Sequence, residues 1–486
     1  MSSNIQNLSE LAHILGNNEA TDKGIVQLFS LFKIPRLLAV YEHVKNKGIP
    51  VSSIILMLIM FRLRGKSIHS MQNARVKGME VCDDNTYYRL MNNSLMNWRK
   101  LLMSFVKQFI TIVRDRGEDN QGTKCFVLDD TDIEKTGKTI EFIGKIFNHV
   151  LHRSVLGFKM LALGFWDGKS FIATDFSLHR EKGKKGNYGM KKKELRAQFS
   201  KKRQKRTPGY KRSCELDKNK NKVAISMIKR AVKNGLIASY VLMDSWFTND
   251  YMIKSIREIK KGAMHVLGMC RIDRRKYCVE GKEMNSSQII ARYSRRRKRY
   301  SRKYKSHYFT LVADYKGEKV KLFYIKYGKA KKWSLLLSTD LSLKFVEAIE
   351  LYQIRWTIEV FFKECKQYLG LGTCQNTDFD GQVADITVAL ITHTLLTLQR
   401  RFGAYETMGE LFREIQQHLI ELNLWERILK IFIKMLQSLM NILKIDLEET
   451  LGQIFQDDST AYQIIIIIKT LDENFDNDHE NTKNAA

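Results

Sequence analysis

Two apolar runs on either side of an Asp-Gly pair constrain the fold more than any other feature of this sequence. The runs at 155–166 and 169–179 have the composition of strands, and Asp167-Gly168 between them is a strong signal for a two-stranded hairpin. A shorter apolar run at 124–128 precedes them and ends in carboxylates. The sequence therefore predicts three successive strands, the first leading directly into acidic residues.

Strands and helices alternate in the region that follows. Residues 220–236 have helical periodicity, and residues 237–247 predict a buried strand whose apolar run ends in Asp244. A helix near 249–260 and a strand at 265–269 come next. This order predicts the α/β fold class and places a second carboxylate at the end of a second strand.

The charge of the chain indicates a polyanionic partner. The 486 residues carry a formal net charge of +30, and a field of that size favours nucleic acid. Residues 180–212 contain 15 Lys or Arg against two Glu and have no apolar period, which predicts a mobile basic loop rather than a packed element. Residues 291–305 interleave nine Lys or Arg with three tyrosines that could stack on bases. The alternative for both segments is a solvated run of charge.

Several classes of protein are disfavoured. Seven cysteines without a C-x-x-C pair predict reduced thiols, not a disulfide framework or a zinc ribbon. The polar start is unlike a signal peptide, and the apolar runs at 51–61 and 464–468 are too short to cross a bilayer. We therefore expect a soluble, cytoplasmic, nucleoid-associated protein with no membrane partner.

Residues 351–371 predict an amphipathic helix with an unusual polar side. Tyr352, Arg355, Glu359 and Lys366 fall within an arc of about 60° on one face, beside an apolar stripe. The alternative is an ordinary surface helix, in which an Arg355–Glu359 ion pair adds a few tenths of a kcal/mol.

Three carboxylates in this pattern could form one site. Asp129 and Asp244 each follow a strand, and a helix crossing adjacent strand ends would add Glu359. Clustered carboxylates need a cation, and hard oxygen ligands favour two Mg²⁺ ions, or Mn²⁺, for phosphodiester chemistry. Asp130 adjoins Asp129 and is the alternative first ligand.

The spacing Y-x2-R-x3-E-x6-K at Tyr352, Arg355, Glu359 and Lys366 resembles the signature of the DDE transposases of bacterial insertion sequences, in the IS-four family. That family's D-x-[ST] pattern resembles residues 129–131, and its second acid resembles Asp244 within MDSWF.

The resemblance implies a ribonuclease-H-like mixed sheet with a β-rich insertion before the catalytic Glu. It also implies that Arg355, Lys366 and Tyr352 bind the DNA backbone beside the cut. Trp356 would stack on a displaced base, with a core tryptophan as the equal alternative.

The sequence patterns, together with the resemblance over about residues 120–400, predict a domain order, and the resemblance implies a function and partners. The expected segments are a helical, helix-turn-helix-like end-binding region (1–118), the first part of the catalytic domain (119–271), the β-rich insertion (272–338), the Glu-bearing part of the catalytic domain (339–400), a helical region (401–470) and a disordered acidic tail (471–486). For the first, an ordinary helical bundle is the alternative. The expected function is cut-and-paste transposition on double-stranded DNA, at element ends and target, by a dimer in the DNA complex. The rivals are a stand-alone nuclease or resolvase and a non-catalytic DNA-binding descendant.

Overall fold

The computed structural model describes residues 32–45, 47–65, 67–69, 83–119, 122–328, 330–403 and 407–413. Its first helices are α1 to α4: Ile34–Ala39, Val51–Leu63, Asp84–Met91 and Trp98–Asp115. The first strands are β1 to β4: Cys125–Glu134, Gly144–Asn148, Arg153–Trp166 and Phe171–His179. Three helices, α5 to α7, follow: Lys192–Arg196, Pro208–Ser213 and Lys220–Lys233.

The second half continues with β5, α8 and β6: Tyr240–Met243, Asp250–Glu258 and His265–Cys270. A strand-rich segment contains β7, β8, α9, β9, β10, β11 and β12: Lys276–Val279, Lys282–Asn285, Ser286–Arg297, Arg299–Ser301, Ser306–Tyr315, Glu318–Tyr327 and Ser334–Ser338. The last described helices are α10 to α12: Phe345–Gln353, Trp356–Tyr368 and Phe379–Phe402.

The described N-terminal residues are helical, as the sequence predicts. Helix α3 is capped by Asp83, whose side chain accepts a hydrogen bond from the Asn85 backbone N–H at 2.8 Å. This bond satisfies one of the backbone N–H groups that have no partner within the first turn of the helix. Residues 70–82, which belong to the predicted helix-turn-helix-like region, lie outside the described residues.

A single mixed sheet of twelve strands forms the centre of the described structure. Its path is β2-β3-β1-β5-β6-β12-β11-β10-β7-β8, with β4 paired to β3 and β9 to β10. Strands β1, β5 and β6 run parallel, and most other neighbours are antiparallel. The predicted hairpin at Asp167-Gly168 is confirmed, because it joins the antiparallel strands β3 and β4. The mixed α/β fold class agrees with the expectation.

Strand β1 differs from its predicted length. The sequence suggests that the strand ends at Leu128, whereas β1 continues through the acidic stretch to Glu134. All of the extra residues pair with β3, from Asp129 opposite Ala162 to Glu134 opposite Gly157. Asp129 therefore lies inside a strand, where pairing with β3 overrides the low strand propensity of aspartate.

The strand-rich segment after residue 272 extends the central sheet. Strand β12 pairs with β6 on one side and with β11 on the other, so β7 to β11 add to the edge of the same sheet. The basic stretch at 291–305 contains the end of α9, the strand β9 and the turn after it. The chain then returns through β12 into α10 and α11.

The basic segment at 180–212 is packed, which corrects the prediction of a mobile loop. It contains α5 and the start of α6, and the guanidinium of Arg203 is buried between three carboxylates. These are Glu141 at 2.5 Å, Asp378 at 3.2 Å and Asp380 at 3.0 Å. Ion pairs rather than an apolar stripe hold the segment, so hydrophobic periodicity could not detect its packing.

Helix α12 forms much of the core. Its 24 residues have the length and hydropathy of a membrane span, unlike the shorter runs noted in the sequence, yet that apolar stretch is completely buried in the fold. It packs against α2, α3, α4 and β4. Four buried threonines in it donate hydrogen bonds to backbone carbonyls four residues earlier: Thr387, Thr392, Thr394 and Thr397. These bonds satisfy the hydroxyls without polar partners from other elements.

The predicted helix at 351–371 is divided into α10 and α11. Between them, the backbone N–H groups of Ile354 and Arg355 bond three residues back, to Leu351 and Tyr352. Both residues keep right-handed helical dihedrals, so the chain tightens for one turn without a sharp break. Residues beyond 413, including most of the predicted C-terminal helical region and the acidic tail, lie outside the described residues.

Candidate active site

The register between β1 and β5 brings two aspartates together. Leu128 pairs with Met243 in this parallel ladder, and the ladder ends there. Asp129 and Asp244 are therefore the next residues along each strand, side by side at the carboxyl end of the parallel pair. Asp244 begins a turn in which its Oδ1 accepts hydrogen bonds from the backbone N–H groups of Trp246 at 2.9 Å and Phe247 at 3.2 Å.

Arg355 connects the first and third predicted carboxylates. Its Nη1 donates to Asp129 Oδ2 at 2.9 Å, and its Nη2 donates to Glu359 Oε1 at 2.5 Å. The arginine side chain is 10% exposed, whereas that of Glu359 is 39% exposed. The structure therefore contains the simple i,i+4 pair, and it also contains a second, long-range bond that the simple pair does not require.

Asp130 has a different environment from Asp129. Successive residues of a strand point to opposite faces, so the two side chains leave β1 on opposite sides of the sheet. Asp130 Oδ2 accepts a hydrogen bond from Lys220 Nζ, at the start of α7, at 2.6 Å. Arg355 bonds to Asp129 and not to Asp130, so the side of β1 that faces Glu359 is the side of Asp129.

The other residues of the predicted signature surround this group. Tyr352 Oη donates to the carbonyl of Met243 at 3.4 Å, beside Asp244. Lys366 Nζ donates to Thr131 Oγ1 at 2.8 Å, two residues along β1 from Asp129. Trp356 is 57% exposed, with the Arg355 guanidinium 5.4 Å from the centre of its ring, so it is not a core residue.

The carboxylates of this site have too little positive charge around them to balance their own. The pKa of Asp129 is raised to about 7, chiefly by burial; the charge of Arg355 and the Asp130 backbone N–H lower it, and the charges of Asp244 and Asp130 raise it. Burial also raises the pKa of Asp244, against hydrogen bonds from Phe247 and Trp246 that lower it. One guanidinium is thus insufficient to keep Asp129 fully charged near neutral pH.

The donor set fits a hard divalent cation, because carboxylate oxygens are preferred ligands and a cation would relieve this repulsion. Among the described residues, no group of three or more His, Cys, Asp or Glu side chains is close enough to hold a metal ion as it stands. Arg355 lies between Asp129 and Glu359, so its guanidinium occupies the position of a counter-ion for both.

Two further residues at this site were missed by sequence reasoning. Trp246 is 46% exposed, and Lys220 Nζ lies 5.1 Å from the centre of its ring. The sequence places Trp246 near the site only by its position two residues after Asp244. Nothing in the sequence indicates that Lys220 meets Asp130, since the two are 90 residues apart.

A mixed sheet with two adjacent aspartates on parallel strands, and a glutamate on a neighbouring helix, defines an acidic active site of the nuclease type. A family model described as DDE superfamily endonuclease matches residues 50–310, which is more than half of the chain. The chain belongs to this family, and its activity is that of a transposase or nuclease acting on DNA. Enzymes of this family generally use divalent metals. Among curated proteins, none matches the chain.

Asp129 and Asp244 lie within the matched residues, whereas Arg355, Glu359 and Lys366 lie beyond residue 310. The family match and the signature on α10 and α11 are therefore independent observations on different parts of the chain.

Proposed function

We propose that the protein is a DDE transposase of the insertion-sequence type, which binds terminal inverted repeats, cleaves them and joins the 3′-ends to target DNA. One observation carries the proposal: Arg355 bonds both Asp129 and Glu359, and Asp129 adjoins Asp244. Asp244 and Glu359 come 115 and 230 positions after Asp129 in the sequence. The three residues thereby form one acidic group with the order and residue types of a DDE site.

Asp129, Asp244 and Glu359 are the proposed ligands for two Mg²⁺ ions, or for Mn²⁺ in their place. The metal would activate a water molecule or a 3′-hydroxyl group and stabilise the leaving oxygen of the phosphodiester. The raised pKa values of Asp129 and Asp244 support this assignment, because these buried acids lack sufficient positive charge. Asp130, paired with Lys220, is the weaker candidate for the first ligand.

The chain's own residues would bind and orient the DNA. In this proposal, Arg355 leaves one of its carboxylates and contacts a phosphate beside the scissile bond, where its planar fork can form two hydrogen bonds. Lys366, which lies next to Thr131, contacts the DNA backbone. Tyr352, which lies beside Asp244, donates a hydrogen bond to the same DNA backbone. The exposed ring of Trp356 is available to stack on a displaced base.

Sequence-independent binding would come from the basic surface. The exposed side chains in the packed segment at 180–212 include Lys184, Lys185, Lys192, Lys193, Lys202, Lys205 and Arg206. A second group of basic residues lies at the end of α9 and around β9. Phosphate contacts of this kind position DNA without reading its sequence. A dimer in the DNA complex and a cytoplasmic location belong to the same proposal.

A stand-alone nuclease or resolvase is the second candidate, because the family match itself extends only to endonuclease activity. A non-catalytic DNA-binding descendant is less well supported, since all three acids are retained. Strand transfer distinguishes the first two: a transposase joins a 3′-hydroxyl end to target DNA, whereas a nuclease stops at cleavage.

The test combines metal and acid substitutions on DNA carrying the element ends. Mg²⁺ or Mn²⁺ should support cleavage and strand transfer, Ca²⁺ should support binding with little cutting, and excess EDTA should stop both reactions. Asp129→Asn, Asp244→Asn and Glu359→Gln should each lower the cleavage rate by more than about a thousandfold while end binding persists. Asp130→Asn is the matched control and should lose less. Cleavage in excess EDTA, or full activity of any of the three variants, would contradict the assignment.

A further inference from the structure

A second group of buried charges lies on the face of the sheet opposite Asp129. Asp175 of β4 stands opposite Leu163, which stands opposite Leu128 of β1. Because Leu128 and Asp130 are two residues apart, Asp175 shares the face of Asp130. Helix α7 covers that face and reaches Asp130 with Lys220 and Asp175 with Arg230. These two contacts are separated by about 15 Å along the helix.

Arginines outnumber acids in this group. Asp175 pairs with Arg99 at 2.9 Å and with Arg230 at 2.7 Å, and Arg99 also pairs with Glu215 at 2.7 Å. Arg212 approaches the same two acids only at 3.7 and 3.9 Å. Three guanidinium groups therefore face two carboxylates, and Arg212 is the one least well paired.

Arg212 keeps two donor groups unsatisfied although its side chain is 6% exposed. Its Nη1 donates to the carbonyl of Phe176, whereas its Nε and Nη2 have no hydrogen-bond partner. Burial, together with the nearby Arg99, lowers the pKa of Arg212 to about 9. Buried donors of a charged group are rarely left unpaired, so these two require an acceptor.

A cavity of about 120 Å³ lies next to Arg212, which is one of its lining residues. It is lined by Arg212, Arg99 and Lys211, by Trp98, whose indole Nε1–H also lacks a hydrogen-bond partner, and by the residues around them. At about 30 Å³ per water molecule, this volume corresponds to about four waters, enough for the five heavy atoms of a phosphate group. Lys211 is exposed and forms part of the rim, so the cavity can be reached from solvent.

The N-terminal end of a helix also favours an anion at this cavity. The 18-residue helix α4 begins at Trp98, so its positive N-terminal end faces the cavity. Asp380 also lines the cavity, but its carboxylate is held by Lys201 at 2.8 Å and Arg203 at 3.0 Å. A side chain at Gly209 would collide with Asp380 and Ser94, so a glycine is needed at this wall.

We propose that this cavity is a second phosphate-binding site, separate from the acidic active site, in which Arg212, Trp98 and Lys211 donate hydrogen bonds to one phosphate group. The phosphate can belong to the DNA backbone or be free in solution, since both present the same tetrahedral oxygens. Binding of phosphate here requires no cleavage chemistry, so the inference does not depend on the proposed function.

The experiment uses the full-length chain in EDTA. Calorimetric titration measures inorganic phosphate binding at ionic strength held constant with chloride, for the wild type and for Arg212→Gln, Trp98→Phe and Lys211→Gln. Losing a charge-assisted hydrogen bond in Arg212→Gln or Lys211→Gln should weaken binding about tenfold, and losing the indole donor should weaken it about fivefold. Lys218→Gln is the matched control, because it removes the same charge from a nearby exposed position that does not line the cavity and has no role in the proposed DNA surface.

Binding of a short DNA duplex, measured over a range of salt concentrations, identifies the source of the phosphate. If a backbone phosphate occupies the cavity, the slope of log K against log salt should fall by about one in Arg212→Gln and Lys211→Gln. An unchanged slope with weakened phosphate binding assigns the cavity to free phosphate. Thermal melting identifies variants that fail to fold, and Trp98→Phe and Lys211→Gln leave the arginine pairs intact. If phosphate does not bind, or binds equally to all folded variants, the cavity is a structural charge cluster and the proposal is wrong.

Discussion

Two groups of buried charge lie on opposite faces of one sheet and have opposite imbalances. On one face, Asp129 shares a single guanidinium with Glu359, and burial holds its pKa near 7. On the other face, Asp175 meets three arginines, and their charge outweighs burial and lowers its pKa to about 2. The same residue type, on two strands that both pair with β3, thus behaves in opposite ways. The excess of negative charge in the first group favours binding of a cation, and the excess of positive charge in the second favours binding of an anion.

The sharpest test of this comparison makes the same substitution in both groups. Asp175→Asn leaves buried arginines without their acid and should lower the free energy of unfolding by about 3–5 kcal/mol. Asp129→Asn removes an under-neutralised charge and should change the stability of the metal-free protein little or increase it slightly. Denaturant unfolding at pH 8 in EDTA measures both. Equal losses in the two variants would show that the groups do not differ.

The role of Arg355 gives the next largest effect. Arg355→Ala should lower the rate of end cleavage by about tenfold to a hundredfold, at about 1.4 kcal/mol of transition-state stabilisation per tenfold. Arg355→Lys should restore part of the rate, because an ammonium group cannot reproduce the planar fork. Lys366→Ala should also cleave slowly, whereas Lys363→Ala, exposed on the same helix, is the matched control.

The pH profile separates the two slow variants. Loss of Arg355 should raise the pKa of Asp129 and move the cleavage profile to higher pH, while loss of Lys366, which contacts Thr131, should leave the profile in place. Cleavage at the wild-type rate in both alanine variants would reduce the signature to an ordinary helix-surface pair.

Metal binding should appear as a pH-dependent gain in stability. Because the folded pKa of Asp129, about 7, lies above its unfolded value, the folded state binds the extra proton between about pH 4 and 7. Stability from this group is therefore present at low pH and lost as pH rises through 7. Mg²⁺ well above its Kd should restore about 1–3 kcal/mol at pH 8 and much less at pH 5. Thermal melting with Mg²⁺ or EDTA at the two pH values provides the measurement, with Asp129→Asn as the control that should lose most of the difference.

Asp175 should show the opposite dependence on pH. Its folded pKa is depressed, so its contribution is complete above about pH 4 and is lost only as pH falls towards 2. The acid limb of the stability profile should therefore survive in Asp129→Asn. The comparison would fail if the same substitution removed both limbs.

The acidic site could be located from sequence because its residues follow strong local signals. The apolar runs before Asp129 and Asp244 predict buried strands, and the parallel register of β1 and β5 then places their next residues together. What sequence could not supply was the bond from Arg355 to Asp129, which spans 226 residues. The continuation of β1 was also missed, because the acidic stretch resembles a loop until β3 provides its hydrogen-bond partners.

The second charged group gave no usable sequence signal. Arg99, Asp175, Arg212 and Arg230 come from four separate elements, and each resembles an ordinary surface charge in its own segment. Hydrophobic periodicity detects faces buried by apolar residues and does not detect segments held by buried ion pairs. That limitation explains why the segment at 180–212 was predicted to be mobile, although Arg203 and Arg212 anchor it.

The position of α12 in the chain has a consequence for synthesis. This helix packs against elements from the first half of the protein, yet its last residue, Phe402, comes 273 positions after Asp129. At 5–20 residues per second, translation from β1 to the end of α12 takes roughly 15–55 seconds. During that interval the inner faces of α2, α4 and β4 lack the helix that covers them. Messages that end before α12 should therefore yield aggregation-prone fragments in place of a smaller working enzyme.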